Sequence, residues 1–142
     1  MAGGRDGACD RLFAYGTLMD GFCRRGLLGP AVSEGAARVR GALHDFGEYP
    51  GLVLDDAGWV AGELYRLPDL PARLAAIDVA EGYDPANPGS SLYVRRRATV
   101  ETGGAATPEA WLYVYNGPPG RGPRIPSGDW RAHVLARDPV SR

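Results

Sequence analysis

The stretch Leu12-Phe13-Ala14-Tyr15-Gly16-Thr17-Leu18 decides the fold of the first part of this 142-residue chain. Its apolar and aromatic start is typical of a buried β-strand over about 11–15, and Gly16 then ends the strand. Glycine allows a positive φ and lets a ligand approach the backbone closely. The N–H groups that follow can therefore face an anion. We predict that residues 15–18 form a cradle for a carboxylate or a developing oxyanion.

The hydrophobic pattern of the whole chain predicts six strands, of which this stretch is the first. The five later ones are expected over 36–45, 52–54, 59–67, 92–101 and 108–116. Hairpin turns are expected at 55–58 and at 103–104. Because nearly every connection has the chemistry of a hairpin, we predict an α+β fold. Its small, mainly antiparallel sheet would be curved or closed into a β-barrel.

One main internal helix is predicted over residues 70–81. Leu74 and Ile77 follow a helical stripe of apolar residues. Asp69 is a candidate N-cap, and Gly82 is a stop signal. In the middle of the chain, apolar residues therefore recur with the helical period of 3.6 residues and interrupt the strand pattern.

The chain is expected to comprise a flexible leader at 1–10 and a single domain at 11–142, within which 117–128 is coil and 129–137 a short helix. Hydrophobic residues make up 44% and charged residues 23%, as in globular proteins. A net charge of −1 without a basic block argues against nucleic-acid binding. No signal-peptide core and no 18-residue apolar run is present, so we expect no membrane partner and a cytoplasmic location.

Several reactive groups are excluded by composition or spacing. All 16 basic residues are arginine, so no lysine can act as a Schiff base or general base. Cys9 and Cys23 do not make a disulfide framework, and neither is expected to be catalytic. His44 and His133 lack the spacing of metal ligands. We therefore predict a site without metal or cofactor.

Glu81 is the candidate catalytic residue because it lies on the apolar stripe, four residues after Ile77. There it would face the core or a pocket at the negative end of the helix dipole, which raises the pKa of a carboxyl group. A raised pKa suits a general acid/base near neutral pH. The alternative is a solvated glutamate at a frayed helix end. Asp78 is expected to be exposed and structural.

These motifs, taken in order, resemble those of the γ-glutamylcyclotransferase-like family. Residues 15–18 resemble its Tyr-Gly-Ser/Thr-Leu motif, and 78–83 resemble the Asp-x-x-Glu-Gly segment that carries its catalytic glutamate. The resemblance extends over about 11–117. It also includes Tyr-Pro-Gly at 49–51, Gly-Glu-Leu-Tyr at 62–65 and Tyr-x-Arg at 93–95.

The resemblance implies a γ-glutamyl cyclotransferase. In this reaction the substrate's α-amino group attacks its own γ-carbonyl and releases 5-oxoproline and a free amine, without water. Because nucleophile and target belong to one molecule, much of the entropy cost is removed once the enzyme holds the right geometry. The resemblance assigns the proton transfers to Glu81 as general acid/base.

The resemblance also implies which residues bind substrate. Backbone N–H groups of Gly16, Thr17 and Leu18 would hold the glutamyl end and oppose the oxyanion. Tyr93 either lines the pocket, reaches Glu81 or packs structurally, and Tyr49 either lines the pocket or packs structurally. The run 95–97 is expected to be a solvated sheet surface, although one arginine is available for a substrate carboxylate. The substrate-binding candidates are Tyr15, Gly16, Thr17, Leu18, Tyr49 and Tyr93.

Three functions agree with these residues. The first is removal of a protecting γ-glutamyl group during aminoglycoside-type antibiotic biosynthesis, as small family members do for butirosin. The second is scavenging of γ-glutamylamines, and the third is non-catalytic binding of a small acid or amine, against which the glutamate at 81 argues. The expected partner is a small-molecule γ-glutamyl amide, and the expected state is a monomer or homodimer.

Overall fold

The computed structural model describes residues 9–56, 58–104, 107–117 and 122–137. Most of the predicted leader and part of the coil at 117–128 lie outside these ranges. Within them, the α-helices are α1 Leu70–Glu81 and α2 Trp130–Arg137, and short 3₁₀ turns lie at Arg25–Leu28 and Pro88–Ser90. The strands are β1 Arg11–Ala14, β2 Val32–Arg40, β3 Ala42–Asp45, β4 Pro50–Val53, β5 Trp59–Arg66, β6 Tyr93–Thr99 and β7 Glu109–Tyr115.

These strands form one curled, mixed sheet, which confirms the α+β class. Its order is β2-β5-β1-β7-β4-β3, and β6 pairs with the other side of β7. Four pairs are antiparallel, whereas β1 and β4 both run parallel to β7. A bridge between Arg38 and Glu101 joins β2 to the segment after β6 and curls the sheet into a half-barrel.

Two predicted turns have different outcomes. The hairpin at 103–104 is confirmed, because β6 and β7 pair antiparallel along their length, although 105–106 lie outside the described residues. The hairpin at 55–58 is wrong: β4 pairs with β3 and β7, and β5 pairs with β2 and β1. Both edges of β4 are therefore already occupied. Of that turn, residue 57 is not described.

The single strand expected over 36–45 is divided at Gly41. The Gly41 N–H donates to the carbonyl of Gly58 at 3.0 Å and leaves the strand ladder. A Cβ at Gly41 would lie 2.7 Å from the carbonyl oxygen of Val53, so a side chain cannot be accommodated there. The chain passes from β2 to β3 on the opposite edge of the sheet at this point.

Helix α1 has the predicted bounds, and Leu74 and Ile77 are buried as expected. Asp69 precedes it, but the carboxylate caps no helix N–H and instead pairs with Arg73 at 3.4 Å. Gly82 ends the helix in the left-handed region, at φ 71°, a conformation that glycine adopts without strain. Among the described helices none is long and apolar enough to cross a membrane.

The core lies between the concave sheet and the two helices. Among its almost completely buried side chains are five that come from β1, α1, β7 and α2. These are Leu12, Phe13, Ile77, Leu112 and Trp130. Burial of this apolar surface stabilises the arrangement that brings the end of β1 next to the end of α1.

Asp78 is buried, so the expectation of an exposed residue is wrong. Its carboxylate accepts two hydrogen bonds from Arg95, at 2.9 and 3.1 Å, and one from the Tyr113 hydroxyl at 2.6 Å. Arg95 therefore belongs to a buried ion pair and not to a solvated surface. These bonds tie α1 to β6 and β7, since a buried carboxylate is stable only when paired.

We predict that Asp78→Asn lowers the free energy of unfolding by about 2 kcal/mol, because Arg95 loses its charged partner. The urea unfolding midpoint measures this change. Asp69→Asn is the matched control on the same helix and should cost less than about 0.5 kcal/mol, since its pair with Arg73 is exposed. Equal losses in the two variants would contradict a special role for Asp78.

Candidate active site

A cavity of about 180 Å³ lies where the carboxyl end of β1 meets the C-terminus of α1. The starts of β4 and β6 complete its walls. The structure brings together on its lining all the candidate site residues, from distant parts of the chain: Tyr15, Gly16, Thr17, Leu18, Tyr49, Glu81 and Tyr93. Their roles in binding and catalysis stay predictions, but their convergence satisfies the first requirement of a shared site.

Hydrogen bonds to two of its carbonyl groups fix the backbone conformation of the cradle, residues 15–18. The carbonyl groups of Gly16 and Thr17 accept hydrogen bonds from the N–H groups of Met19 and Arg24, at 3.0 and 2.8 Å. Across the described ranges, the N–H groups of Gly16, Thr17 and Leu18 donate to no protein acceptor. Backbone donors without a protein acceptor need another hydrogen-bond partner. They are therefore available to an anionic or carbonyl oxygen of a ligand.

Gly16 does not use the positive φ that glycine allows. The need for glycine comes from packing: a Cβ there would lie 2.7 Å from Cγ and 2.9 Å from Cδ of Pro50. The ring of Pro50, at the start of β4, thus packs directly on the backbone of the cradle. Because glycine has no side chain, it allows these two walls of the cavity to lie this close.

Glu81 is the last residue of α1 and is 9% exposed, so the alternative of a solvated glutamate is wrong. Its Oε2 accepts a hydrogen bond from Nη1 of Arg24 at 2.9 Å. Burial raises the pKa of Glu81, whereas the hydrogen bond and charge of Arg24 lower it, and burial dominates. The result is a carboxyl group able to change protonation state inside a cavity.

The tyrosines form walls. Tyr15 donates to the carbonyl of Tyr113 at 2.6 Å and accepts from the N–H of Leu52 at 3.2 Å. Tyr93 donates to the carbonyl of Pro50 at 2.6 Å and makes no hydrogen bond to Glu81. Burial raises the pKa of both Tyr15 and Tyr93, so both stay protonated at neutral pH. Their hydroxyl groups hydrogen-bond to backbone groups, and their rings line the cavity.

Tyr49 lies at the mouth of the cavity and is 37% exposed. Its ring packs edge-on against that of Tyr93, with the centroids 6.2 Å apart. The pocket-lining alternative thus describes both tyrosines. Sequence reasoning left this open because an aromatic residue in a strand or turn is equally typical of a core.

Nine lining residues were not predicted as site residues. Six of them belong to the sequence motifs quoted above, and three lie outside those motifs: Arg24, Leu92 and Tyr113. Nothing in the sequence distinguishes Arg24 from its neighbour Arg25, which instead lies over the ring of Tyr65 at 4.8 Å. The alternation of β7 gives a weak signal for Tyr113, and Leu92 precedes a strand without any signal.

Groups set aside on sequence grounds lie away from the cavity. Cys9 is buried, Cys23 is exposed, and neither lines it. His44 contacts the carbonyl of Gly122, and His133 pairs with Asp45. In the part of the chain that the structure describes, no group of three His, Cys, Asp or Glu residues has an arrangement suited to a metal ion.

Comparison with known proteins agrees with this geometry. Residues 12–132 match the family model described as "Gamma-glutamyl cyclotransferase, AIG2-like". A Vibrio cholerae protein named "Putative gamma-glutamylcyclotransferase" is 31% identical over 125 residues, which cover 87% of this chain and 96% of the relative.

Solved structures show the same fold. YkqA from Bacillus subtilis superposes with a TM-score of 0.73 at 26% identity, over 92% of this chain but only 42% of that protein. YtfP from Escherichia coli gives 0.61 at 30% identity, over 90% and 98% of the two chains. A mouse AIG2-like protein gives 0.68 at 20% identity, over 85% and 87%, and supports the fold alone. By its family match and its relative, this chain belongs to the gamma-glutamyl cyclotransferase, AIG2-like family.

Proposed function

We propose that the protein cleaves a γ-glutamyl amide by internal cyclisation, with Glu81 as the general acid/base. One observation carries this proposal: a buried carboxyl group with a raised pKa shares a small cavity with three successive backbone N–H groups that have no acceptor among the described residues. The first can move protons and the second can hold an oxyanion. Cyclisation of a γ-glutamyl amide needs both functions in one place.

The reaction balances without water or cofactor. The α-nitrogen of the substrate forms a bond to the γ-carbon, and the bond from that carbon to the leaving nitrogen breaks. In all, two protons pass from the attacking α-ammonium nitrogen to the leaving nitrogen. Starting from an α-ammonium group, the products are a neutral lactam and a protonated amine, so no net proton is consumed.

Glu81 is suited to both proton transfers. As a carboxylate it takes a proton from the attacking nitrogen, and as a carboxylic acid it returns one to the departing amine. A pKa raised toward neutral pH brings these two forms closer in free energy. One residue therefore serves where two nitrogens lie on either side of the same carbonyl.

The cradle supplies the electrostatic part. As the α-nitrogen attacks, negative charge develops on the γ-carbonyl oxygen. We assign its stabilisation to the free N–H groups of Gly16, Thr17 and Leu18. Such donors are fixed by the fold before the reaction starts, so little reorganisation is needed. The rings of Tyr15 and Tyr93 limit the access of water and thereby disfavour hydrolysis.

The biological setting depends on the leaving amine. Deprotection in aminoglycoside-type antibiotic biosynthesis and scavenging of γ-glutamylamines use the same bond cleavage and the same glutamyl contacts. A small-molecule γ-glutamyl amide is the proposed partner in both. The alternative to an enzyme is a domain that only binds such molecules. Such a domain would bind γ-glutamyl amides without converting them to product.

We predict that Glu81→Gln lowers the rate of 5-oxoproline formation by about 10²–10⁴-fold or more, since the glutamine cannot exchange a proton. Mass spectrometry of reactions with several γ-glutamyl amides measures the product. Glu101→Gln is the matched control, because Glu101 lies in an exposed pair with Arg38 and should leave the rate unchanged.

Three results would contradict the proposal. Retained activity in Glu81→Gln would remove its assigned role. Release of free glutamate in place of 5-oxoproline would mean that water attacks the carbonyl. Tight binding of γ-glutamyl amides by the unmodified protein, with no product from any of them, would favour a binding domain.

We also predict that kcat/KM rises with pH through the pKa of Glu81, because the free enzyme needs the carboxylate. Burial raises the pKa of Glu81, so this ascending limb of the pH–rate profile lies above the ordinary glutamate pKa of about 4.3. Arg24 lowers the pKa of Glu81, so Arg24→Gln should move the limb to higher pH. Arg25→Gln is the control, since Arg25 faces Tyr65, and should leave it in place. A limb that does not move in Arg24→Gln contradicts this coupling.

A further inference from the structure

Much of the mouth of the candidate active site is apolar, although Arg24 also lines it and is 41% exposed. Three of its lining side chains are large, hydrophobic and exposed to solvent: Val79 at 81%, Leu92 at 42% and Tyr49 at 37%. Exposed apolar groups gathered around a cavity are typical of a ligand-binding surface. They lie at the end of the cavity that opens to solvent, where the amine half of a γ-glutamyl amide would emerge.

A second cavity of about 210 Å³ continues from this mouth. It shares Tyr49 and Leu92 with the first and is further lined by Asp45, Phe46 and Tyr115. The rings of Phe46 and Tyr115 are 4.3 Å apart, and that of Phe46 is 6.0 Å from Tyr49. An unbroken set of aromatic rings therefore connects Tyr93, in the first cavity, with the second.

The acidic group of the second cavity is already neutralised. Asp45 accepts hydrogen bonds from His133 at 2.7 Å, from the N–H of Gly47 at 2.7 Å and from Arg137 at 3.2 Å. Although burial acts in the opposite direction, these partners lower the pKa of Asp45 and hold it as a paired carboxylate. Both of its carboxylate oxygens are therefore already engaged in hydrogen bonds.

The fixed charges near the two cavities are unfavourable to a polyamine. Of the described lining residues, only Asp45 and Glu81 are acidic, and Glu81 is paired with Arg24. Aromatic rings attract cations as well as apolar groups. Here, however, each lining carboxylate is already paired with a guanidinium group, Glu81 with Arg24 and Asp45 with Arg137, so an added ammonium group would lose hydration without gaining an unpaired carboxylate.

We propose that the second cavity is the leaving-group subsite and that it takes the amine half of a substrate whose substituent is apolar and carries no further charge, with an aromatic group preferred. This inference rests on the proposed function, because it assumes that the glutamyl half occupies the first cavity. It favours γ-glutamyl amides of aryl-alkyl or alkyl amines over those of aminoglycosides and polyamines. Aromatic side chains supply affinity through ring stacking and through burial of apolar surface.

The test compares three synthetic amides. γ-Glutamylputrescine and γ-glutamylpentylamide have the same length and differ by a terminal ammonium in place of a methyl group, and γ-glutamylphenethylamide adds a ring. We expect kcat/KM for 5-oxoproline formation to be roughly tenfold or more higher for the pentylamide than for the putrescine amide, and higher again for the phenethylamide. Equal values, or a preference for the putrescine amide, would overturn the proposal.

A charge-introducing variant tests the place of the subsite. Leu92→Glu should reduce the ratio of kcat/KM between pentylamide and putrescine amide by roughly tenfold, because it adds a carboxylate that attracts the ammonium group. Val32→Glu introduces the same charge at an exposed position that lines neither cavity and should leave the ratio unchanged. Similar ratios in both variants would place the amine elsewhere.

Binding separates this inference from the proposed function. Calorimetry with the Glu81→Gln variant, which should not turn over its ligands, measures the affinity of the three amides directly. Absence of 5-oxoproline from every amide would contradict the proposed function, yet tighter binding of the apolar amides would still support the subsite. Equal affinities of the three amides would overturn the subsite, even if all three were substrates.

Discussion

The burial of Asp78 against Arg95 and Tyr113 is the constraint on which the site depends. It fixes the last turn of α1 against β6 and β7. Glu81 follows three residues later and therefore lies about 60° around the helix from Asp78. One carboxylate can thus face the sheet while the other faces the cavity. The carbonyl of Tyr113 also accepts from Tyr15, so the same strand residue fixes the cradle.

Two carboxylates on one helical turn, those of Asp78 and Glu81, have different environments. They therefore suit different roles, one in holding the fold and one in the proposed proton transfer. Asp78 is held by Arg95 from one strand and by Tyr113 from the next. Glu81 has one cationic partner, Arg24, whose side chain is 41% exposed and belongs to a loop. Unequal pairing of neighbouring carboxylates is a general way to separate a structural group from an acid/base group.

The local features of the fold could be predicted from the sequence. The bounds of α1 follow from a stripe of apolar residues and a terminating glycine, and the inward direction of Glu81 follows from the same stripe. The convergence of 15–18 with Glu81 came from the family resemblance and not from periodicity. Arg24 was missed because a loop arginine has no pattern that shows where it points.

The errors have a common physical origin in long-range contacts. The hairpin at 55–58 looked sound because turn chemistry is local, whereas the pairing of β4 with β7 joins residues 62 positions apart, such as Leu52 and Val114. Burial of Asp78 depends in the same way on Arg95 and Tyr113, from strands that follow the helix. A single apolar stripe cannot indicate a polar side chain that is buried by partners elsewhere in the chain.

The position of β7 in the sheet affects how the protein folds. This strand contacts β1, β4 and β6, yet it is the last strand in the described sequence. During synthesis, nearly a hundred residues must be added after β1 before β7, its parallel neighbour, has been made. Closing so long a loop is slow, and until then the edge of β1 stays open to other chains. Nascent molecules are thus most vulnerable to aggregation before β7 leaves the ribosome.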